Sequence, residues 1–507
     1  MDNVVAAPEI LVSAAADIEQ IGSAIGAANA AAAGPTSDLL AAAQDDISAA
    51  VAKVFGQYGA DYQALSRQAA AFHGEFTQAL ATAGNTYAQA EAANAAAVSS
   101  ALGSLGSPIL GSPIQTLLGT APTGGAATGA ALRAALLPLS QADVALIMGG
   151  TGNPGPDPIY IGSVNNSYIQ QLFPGANPLP QFTPEQFWPV TPQLGGLSFG
   201  KSVALGVTDL QGSILDQVNN QHHTVAVFGY SQSATVATDV IKNLMAMGPG
   251  APSANDLSFV LAADPNNPNG GILSRFPGFY IPFLNVDFNG ATPPNSPYPT
   301  AIYTAQYDGI ADLPQYPLNW VSDLNAFLGY FFVHNTYPFL TPDQVANAWQ
   351  LPTSPGYTGN TTYYMIPTQD LPLVELIRLI PYAGPPMADI FQPDLRVLVD
   401  LGYGSHGYAD VATPASLLWS SIPNYPVVAL DLAKGAVQGP YAAAVEIGVE
   451  AGFWGPEWFP QAYPWLPSPD PNLHINLGPF LNQPPVTGLS LASGALGAGL
   501  KLIPAFF

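Results

Sequence analysis

One stretch in the middle of the chain constrains its fold more than any other. Residues 225–233 read VAVFGYSQS: a short apolar run leads into Gly229-x-Ser231-x-Ser233, and a helix-forming stretch follows over residues 234–247. A strand that turns sharply into a helix at a serine projects the hydroxyl beyond the carboxyl end of a parallel sheet. The turn is crowded, so small residues are needed two positions before and after the serine, and Ser233 stands where glycine is usual. The stretch therefore predicts an α/β fold with a nucleophilic serine at Ser231.

Proline divides the chain into two dissimilar parts. Only Pro8 and Pro35 lie in the first hundred residues, and the other 49 of the 51 prolines lie beyond them. The first part is rich in alanine and carries two segments with apolar residues at steps of three and four, which predicts a helical hairpin. Gly34-Pro35 is expected to end the first of its two helices.

A two-helix hairpin leaves a long apolar stripe uncovered, because each helix has only one neighbour. The simplest cover is another protein that supplies two more helices and completes a four-helix bundle. Packing of the hairpin against the rest of its own chain is the alternative.

Composition shifts indicate four segments. The hairpin occupies residues 1–98, and a flexible linker rich in Gly, Ser, Pro, Thr and Ala occupies 99–139. An α/β domain follows over 140–410, where short apolar strands alternate with helical stretches, an order that favours a mostly parallel sheet. The strand candidates are 144–148, 224–228, 257–262 and 301–305. Residues 411–507 form an extension whose fold the sequence leaves unassigned; we expect it to pack on the α/β domain.

Composition also excludes several function classes. The 507 residues include 34 acidic and 10 basic ones, for a net charge of −24, so neither nucleic acid nor anionic lipid is an expected partner. Cysteine is absent, which excludes disulfides and thiolate chemistry. No metal-ligand spacing or cofactor motif is evident. The first residues lack a basic segment before an apolar one, so no Sec signal peptide is expected, and Lys501 and several glycines interrupt the apolar run 488–507.

The candidate nucleophile needs a base and an acid. A serine hydroxyl becomes nucleophilic when a histidine takes its proton and a carboxylate orients that histidine, and in α/β-hydrolases the acid precedes the histidine in the chain. Asp308 follows the strand candidate 301–305, and His334 comes 26 residues later. We therefore predict Ser231, Asp308 and His334 as the catalytic residues.

Other residues compete for two of these roles. Asp312 lies on the same loop as Asp308, and Asp264 ends an earlier strand candidate, which makes it the weaker rival. His406 and His474 also follow the serine; His406 lies in a sequence typical of a turn. Two donors must also hold the negative oxygen that forms on the substrate.

The backbone N–H of Gln232 is the first candidate for this oxyanion hole. Thr151, in the glycine-rich loop 148–154, is the second, and it offers both an N–H and a hydroxyl. The same loop has no lysine and no complete Gly-x-Gly-x-x-Gly pattern, which argues against phosphate or dinucleotide binding.

Short motifs in the hairpin are shared with a known family. They are Pro8-Glu9, Ala14-Ala15-Ala16-Asp17-Ile18, Ile21-Gly22, Ala27-Ala28-Asn29-Ala30 and Phe72-His73. These residues resemble the PE domain of mycobacterial PE proteins, and Tyr87 with Glu91 matches the Tyr-x-x-x-Asp/Glu export signal of that family. The resemblance implies pairing with a PPE-family protein, export by a type VII secretion system, and a secreted protein of the cell wall or cell surface.

Motifs of the second part point to a related family. They are 149–154 (GGTGNP), 229–233 (GYSQS), 264–271 (DPNNPNGG), 307–312 (YDGIAD) and 334–337 (HNTY). Over about 140–410 they resemble the PE-PPE domain, a cutinase-like α/β-hydrolase. Thr151 stands where cutinases have their oxyanion serine. Cutinases also bracket the acid loop with a disulfide, so we expect Pro314 and packing to hold that loop here.

The resemblance implies a serine carboxylesterase or lipase that acts on short- to medium-chain acyl esters. An acyltransferase that acts on cell-envelope glycolipids is the alternative within the same chemistry. A non-catalytic secretion or interaction module is the alternative of another class, although a serine, an acid and a histidine in the hydrolase order argue against it.

Overall fold

The computed structural model describes residues 141–404, 407–417, 421–475 and 483–502, together with isolated positions between 23 and 70. The chain divides into two compact units, Met1–Gly111 and Ser112–Phe507. The predicted linker and the predicted export signal, Tyr87 with Glu91, lie outside the described residues. The domain boundaries given above therefore stay predictions.

The described residues of the first unit are helical. The amide of Gln63 donates a hydrogen bond to the carbonyl of Asn29 (3.0 Å), which holds two helical stretches side by side as the predicted hairpin requires. Residues 33–36 are all helical, so a helix includes Gly34-Pro35. Residues 37–51 lie outside the described residues, and the predicted end of the first helix stays a prediction.

The second unit is built on a mixed, mostly parallel seven-stranded sheet. The strands of the described residues are β1 Val144–Ile147, β2 Asn177–Pro180, β3 Val225–Tyr230, β4 Leu257–Ala262, β5 Tyr280–Ile281, β6 Val286–Asp287, β7 Thr300–Ala305, β8 Trp349–Gln350, β9 Thr361–Ile366, β10 Ile422–Pro423 and β11 His474–Ile475. The sheet order is β2-β1-β3-β4-β7-β9-β8, with only β8 antiparallel to its neighbour. This topology confirms the predicted α/β class.

Helices cover both faces of this sheet. Those of the described second unit are α1 Pro158–Val164, α2 Gln170–Leu172, α3 Phe199–Asn219, α4 Gln232–Met247, α5 Ile272–Arg275, α6 Trp320–Phe332, α7 Pro342–Ala346, α8 Pro372–Arg378, α9 Gly384–Asp400, α10 Tyr425–Glu450 and α11 Gly488–Leu500. Helices α3 and α4 cover one face, and α1 with the 3₁₀ turn His334–Phe339 covers the other.

Strand β3 shows how the sequence builds this core. Side chains of a strand alternate between the two faces of a sheet. Val225 and Val227 accordingly pack with α3 and α4, whereas Ala226 and Phe228 pack on the opposite face. All four are buried, which explains why β3 reads as a continuous apolar run rather than an alternating one.

The segment beyond residue 411 packs on the α/β core. Helix α10 of this segment lies against α9. Tyr463, which follows α10 in the chain, donates a hydrogen bond from its hydroxyl to Asp400 (2.9 Å) at the end of α9. Burial raises the pKa of Asp400 to about 6, and the hydroxyls of Tyr463 and Tyr307 oppose that shift by hydrogen bonding to its carboxylate.

Among the described helices, none combines the length and hydropathy that a membrane span needs.

The Tyr463–Asp400 bond predicts a stability effect. Tyr463→Phe leaves a buried carboxylate with one donor fewer, so we expect the free energy of unfolding to fall by about 1–2 kcal/mol. Urea unfolding at pH 7 measures it, with Tyr425→Phe as the matched control because Tyr425 is 68% exposed. Equal midpoints for the two variants would contradict a stabilising role for this bond.

Candidate active site

Ser231 occupies a strained turn between β3 and α4. Its φ is +56°, a left-handed conformation that residues with a Cβ rarely adopt, and its N–H donates to the carbonyl of Ala262 on β4 (3.1 Å). Gly229 is required here, because a Cβ at that position would lie 2.8 Å from the carbonyl oxygen of Ser233. The strand-to-helix turn therefore points the Ser231 side chain out of the sheet.

The unusual serine at position 233 has a structural role. Its hydroxyl accepts a hydrogen bond from the N–H of Tyr230 (2.8 Å) and lies 3.1 Å from the carbonyl oxygen of the same residue. It thus stabilises the tight turn from within. Serine in place of glycine at position 233 is therefore compatible with the strand-to-helix turn.

The structure brings the three predicted catalytic residues together at the carboxyl end of the parallel strands. Ser231 Oγ lies 2.8 Å from His334 Nε2. On the other side of the ring, His334 Nδ1 lies 2.9 and 3.0 Å from the two carboxylate oxygens of Asp308. His334 and Asp308 are buried, whereas Ser231 is partly accessible. In this geometry Nδ1 donates to the carboxylate, which leaves Nε2 free to take the serine proton.

Asp308 is held by donors besides the histidine. The hydroxyl of Tyr337 donates to Oδ2 (2.8 Å) and the N–H of Ile310 donates to Oδ1 (2.8 Å). Burial raises the pKa of Tyr337 well above its ordinary value, so this hydroxyl keeps its proton and remains a donor. Tyr337 was part of the motif that carried the family resemblance, yet nothing in the sequence alone assigned it this contact.

The rival acids lie elsewhere. Asp312 Oδ2 accepts from the N–H of Tyr307 (2.8 Å), and Asp264 accepts from the hydroxyl of Thr292 (2.6 Å). Burial raises the pKa of Asp312 to about 7 and that of Asp264 to about 6. Neither makes the contact with His334 that Asp308 makes.

The rival histidines are also separated from Ser231. His474 lies on β11, where its ring pairs with the hydroxyl of Ser421 (2.9 Å) and with the carbonyl of Leu401 (3.1 Å). Burial lowers the pKa of His474, which favours its neutral form. His406 lies outside the described residues.

The acid loop is closed without a disulfide. The buried guanidinium of Arg275 donates to the carbonyl of Leu313 (2.9 Å) and to that of Thr413 (2.6 Å), and so links the loop to the C-terminal segment. Pro314 is buried, as expected for a residue that helps to hold the loop. Polar contacts and packing thus take the place of a covalent bracket.

Helix α6 lies directly against the acid loop. A Cβ at Gly329 would lie 1.9 Å from the carbonyl oxygen of Tyr307, so only glycine allows the approach. This contact fixes α6 relative to Asp308, which follows Tyr307 in the chain. Any side chain on α6 therefore has a defined position relative to the Ser231–His334 pair.

Two tyrosine rings stack against the imidazole of His334. The ring centroid of Tyr230 lies 5.7 Å from that of the imidazole, and the ring centroid of Tyr330, on α6, lies 5.6 Å from it; both pairs of rings are stacked. The hydroxyl of Tyr230 donates to the backbone carbonyl of His334 (2.7 Å). These contacts hold the imidazole beside Ser231.

The glycine-rich loop meets α4 next to the serine. The hydroxyl of Thr151 donates to Gln232 Oε1 (2.8 Å). That direction follows because Gln232 Nε2 donates to the carbonyl of Gln186 (3.1 Å), which leaves Oε1 facing Thr151. The Thr151 hydroxyl therefore braces the loop, and its backbone N–H is the group left to serve an oxyanion.

The buried residue Glu185 supports this loop through its backbone carbonyl. The carbonyl of Glu185 accepts a hydrogen bond from the N–H of Gly152 (2.9 Å), and Thr183 donates to its Oε1 (2.7 Å). Glu185 has a φ of +46° and is 1% exposed, and its Oε2 has no hydrogen-bond partner among the described residues. Burial raises the pKa of Glu185 to about 8, so the carboxyl is neutral at pH 7. Nothing in the sequence alone points to Glu185.

Sequence comparison assigns the two parts of the chain to known families. Residues 4–94 match the PE family, and residues 174–404 match the PE-PPE domain. The chain is 53% identical over 506 residues to PE family protein PE3 of Mycobacterium tuberculosis (strain ATCC 25618 / H37Rv), which covers 99% of both chains. The chain belongs to the PE family. The predicted resemblance to PE proteins with a C-terminal PE-PPE domain is confirmed.

A second relative of this PE protein carries a functional name. Esterase PE16 of the same strain is 43% identical over 444 residues, which cover 87% of this chain and 77% of that relative. A solved cutinase-like protein from Cryptococcus sp. is similar over 34% of this chain and 82% of its own, at 21% identity and a TM-score of 0.25. That likeness is too slight to support the fold, which rests on the strand order described above.

The described residues of this PE protein hold no group of three or more His, Asp or Glu side chains placed to bind a metal ion.

Glu185 predicts a pH-dependent difference in stability. Its folded-state pKa of about 8 lies above its ordinary value of 4.5, so folding favours the protonated form. Ionisation of the unfolded chain above pH 4.5 therefore lowers the stability of the wild type, by up to about 1.4 kcal/mol per pH unit, until the folded carboxyl also ionises. Glu185→Gln removes this loss, and we expect its stability relative to wild type to rise from pH 4.5 to 8 and then level off.

Thermal melts across that range measure the difference. The exposed Glu457→Gln is the control and should show a constant difference at every pH. A constant difference for Glu185→Gln as well would mean that Glu185 is ionised in the folded protein.

Proposed function

We propose that this PE protein is a serine carboxylesterase that hydrolyses short- to medium-chain acyl esters through Ser231, His334 and Asp308. One observation carries the proposal: the unbroken contact from Ser231 Oγ to His334 Nε2 (2.8 Å) and from His334 Nδ1 to Asp308 (2.9 Å). The relationship to Esterase PE16 supports the same reaction class.

The first half of the reaction acylates the serine. Ser231 Oγ attacks the ester carbonyl while its proton passes to His334 Nε2. Asp308 accepts the Nδ1 hydrogen bond, keeps the ring in the correct tautomer and stabilises the imidazolium. The rings of Tyr230 and Tyr330 stack against the imidazole.

The oxyanion needs preorganised donors. The backbone N–H of Gln232, at the start of α4, and that of Thr151 are the two groups we assign to it. The hydrogen bond between the two side chains fixes the loop against the helix, so both N–H groups are held in place before substrate arrives.

The second half releases the product. The tetrahedral intermediate collapses, and the ester C–O bond breaks as His334 Nε2 returns its proton to the alcohol, which leaves. Water then gives a proton to Nε2 and attacks the acyl-serine, and the second intermediate expels Ser231 Oγ, which regains the proton. The carboxylic acid departs and the enzyme is restored.

The roles of the nucleophile and the acid predict distinct kinetic losses. We expect kcat/KM for nitrophenyl butyrate to fall by about 10³-fold or more in Ser231→Ala and by about 10³–10⁴-fold in Asp308→Asn. Asp312→Asn should lose much less, because Asp312 bonds the backbone of Tyr307 rather than the imidazole.

Two outcomes would contradict these assignments. Wild-type activity in Ser231→Ala would exclude the serine mechanism. A large loss in Asp312→Asn with none in Asp308→Asn would reverse the choice of acid.

An acyl-sugar product in the presence of trehalose would show that an alcohol replaces water, which is the acyltransferase alternative.

We further propose that the PE hairpin pairs with a PPE-family protein and directs export by type VII secretion to the cell wall or cell surface. The match of residues 4–94 to the PE family supports pairing of this kind. The Tyr87 and Glu91 pattern is the observation that motivates export.

The export proposal predicts a defect without loss of catalysis. We expect Tyr87→Ala and Glu91→Ala to retain the protein inside mycobacterial cells while esterase activity of the purified variants stays near wild type. Gln89→Ala, between the two positions, is the matched control. Normal amounts of either variant in the culture filtrate would contradict the assignment of the signal.

A further inference from the structure

The outer face of α6 is apolar and exposed. Four residues form it, which we call the α6 stripe: Trp320 (71% exposed), Leu324 (41%), Phe327 (60%) and Phe331 (53%). Their spacing of four, three and four residues places them on one side of the helix, along about 16 Å of its length. A contiguous exposed apolar surface of this kind on a folded domain marks an interaction site.

The stripe is connected to the active site by ring contacts. Phe327 packs edge-on against Phe331 at 5.4 Å, Phe331 packs edge-on against Tyr330 at 5.1 Å, and Tyr330 stacks on His334 at 5.6 Å. The inner side of the same helix is fixed to the acid loop at Gly329. Whatever binds the stripe therefore lies at a fixed position beside the catalytic imidazole.

Charge distinguishes between the possible occupants. The stripe carries no ionisable side chain, while the chain as a whole has a net charge of −24. Long-range repulsion opposes both an anionic bilayer and a second copy of the same chain. An uncharged lipid surface meets neither obstacle, and it presents acyl groups of the kind that the serine would attack.

We propose that the α6 stripe docks the enzyme on the surface of its aggregated, uncharged acyl-ester substrate. The inference rests on the proposed esterase activity and deepens it by naming the physical state of the substrate. Docking buries the outer rings in lipid and places Tyr330 at the boundary between the aggregate and His334. Ester groups at that boundary then reach Ser231 without leaving the lipid phase.

Binding is tested separately from catalysis. The probe is an emulsion of triolein stabilised by phosphatidylcholine, and the protein is full-length Ser231→Ala, which folds around the same site but turns over no ester. We expect it to float with the droplets, and to be lost from them about tenfold or more when Leu324→Gln and Phe327→Gln are added. Phe453→Gln, which replaces an aromatic ring 83% exposed beyond α10, is the matched control and should float normally.

Kinetics give the second measurement in the otherwise wild-type chain. For Leu324→Gln with Phe327→Gln, we expect the ratio of the rate on emulsified tributyrin to the rate on dissolved nitrophenyl butyrate to fall about tenfold. Phe453→Gln should leave this ratio unchanged. An equal loss on both substrates would mean that the stripe supports the site rather than docks the lipid, and would overturn the inference.

Two further outcomes are decisive. Unaltered flotation of the glutamine variant would exclude the stripe as the lipid-binding surface. A dimer in sedimentation that the same variant dissociates, without flotation of the parent protein, would assign the stripe to self-association instead. If the wild type hydrolyses neither ester, the proposed function fails, whereas flotation of Ser231→Ala still decides whether the stripe binds lipid.

Discussion

The buried carboxylate of Asp308 is the constraint on which the rest of the site depends. A carboxylate with no exposure to water must be satisfied by donors, since an unpaired buried charge costs far more than a domain can tolerate. His334, Tyr337 and Ile310 supply those donors. The hydrogen bonds between His334 Nδ1 and Asp308 therefore stabilise the buried carboxylate and orient the imidazole at the same time. The other ring nitrogen, Nε2, then faces Ser231.

Much of the sheet could be predicted because its central strands are buried on both faces and read as short apolar runs. The candidates 144–148, 224–228, 257–262 and 301–305 match β1, β3, β4 and β7 to within two residues at each end. Strand β2 could not be found this way, because two of its four residues are prolines. An edge strand tolerates proline, since one of its sides needs no backbone donors. Helix α10 could not be predicted for a similar reason, because Pro440 lies inside it.

The candidate site divides in the same way. Ser231 was determined by local sequence, because strand, turn and helix are contiguous. The choice between Asp308 and Asp312 was not, since both follow the same strand and only the tertiary contact with His334 separates them. The stacking of Tyr230 and Tyr330 on the imidazole had no local signal at all, because the two rings come from positions a hundred residues apart. The use of the Thr151 hydroxyl to brace Gln232 likewise follows only from which way the amide of Gln232 faces.

The small number of basic residues shapes the interior as well as the surface. With 10 basic residues against 34 acidic ones, few cations are available to pair with buried carboxyls. Arg275 and Arg396 are both fully buried, where they contact backbone carbonyls of the core. Asp264 and Glu185 rely instead on hydroxyl and amide donors, and burial raises the pKa of both. A carboxyl whose pKa is raised on folding stabilises the fold below its ordinary pKa and loses that contribution as the pH rises through the raised value. Each of these two buried carboxyls thus contributes more to stability at low pH than at high pH.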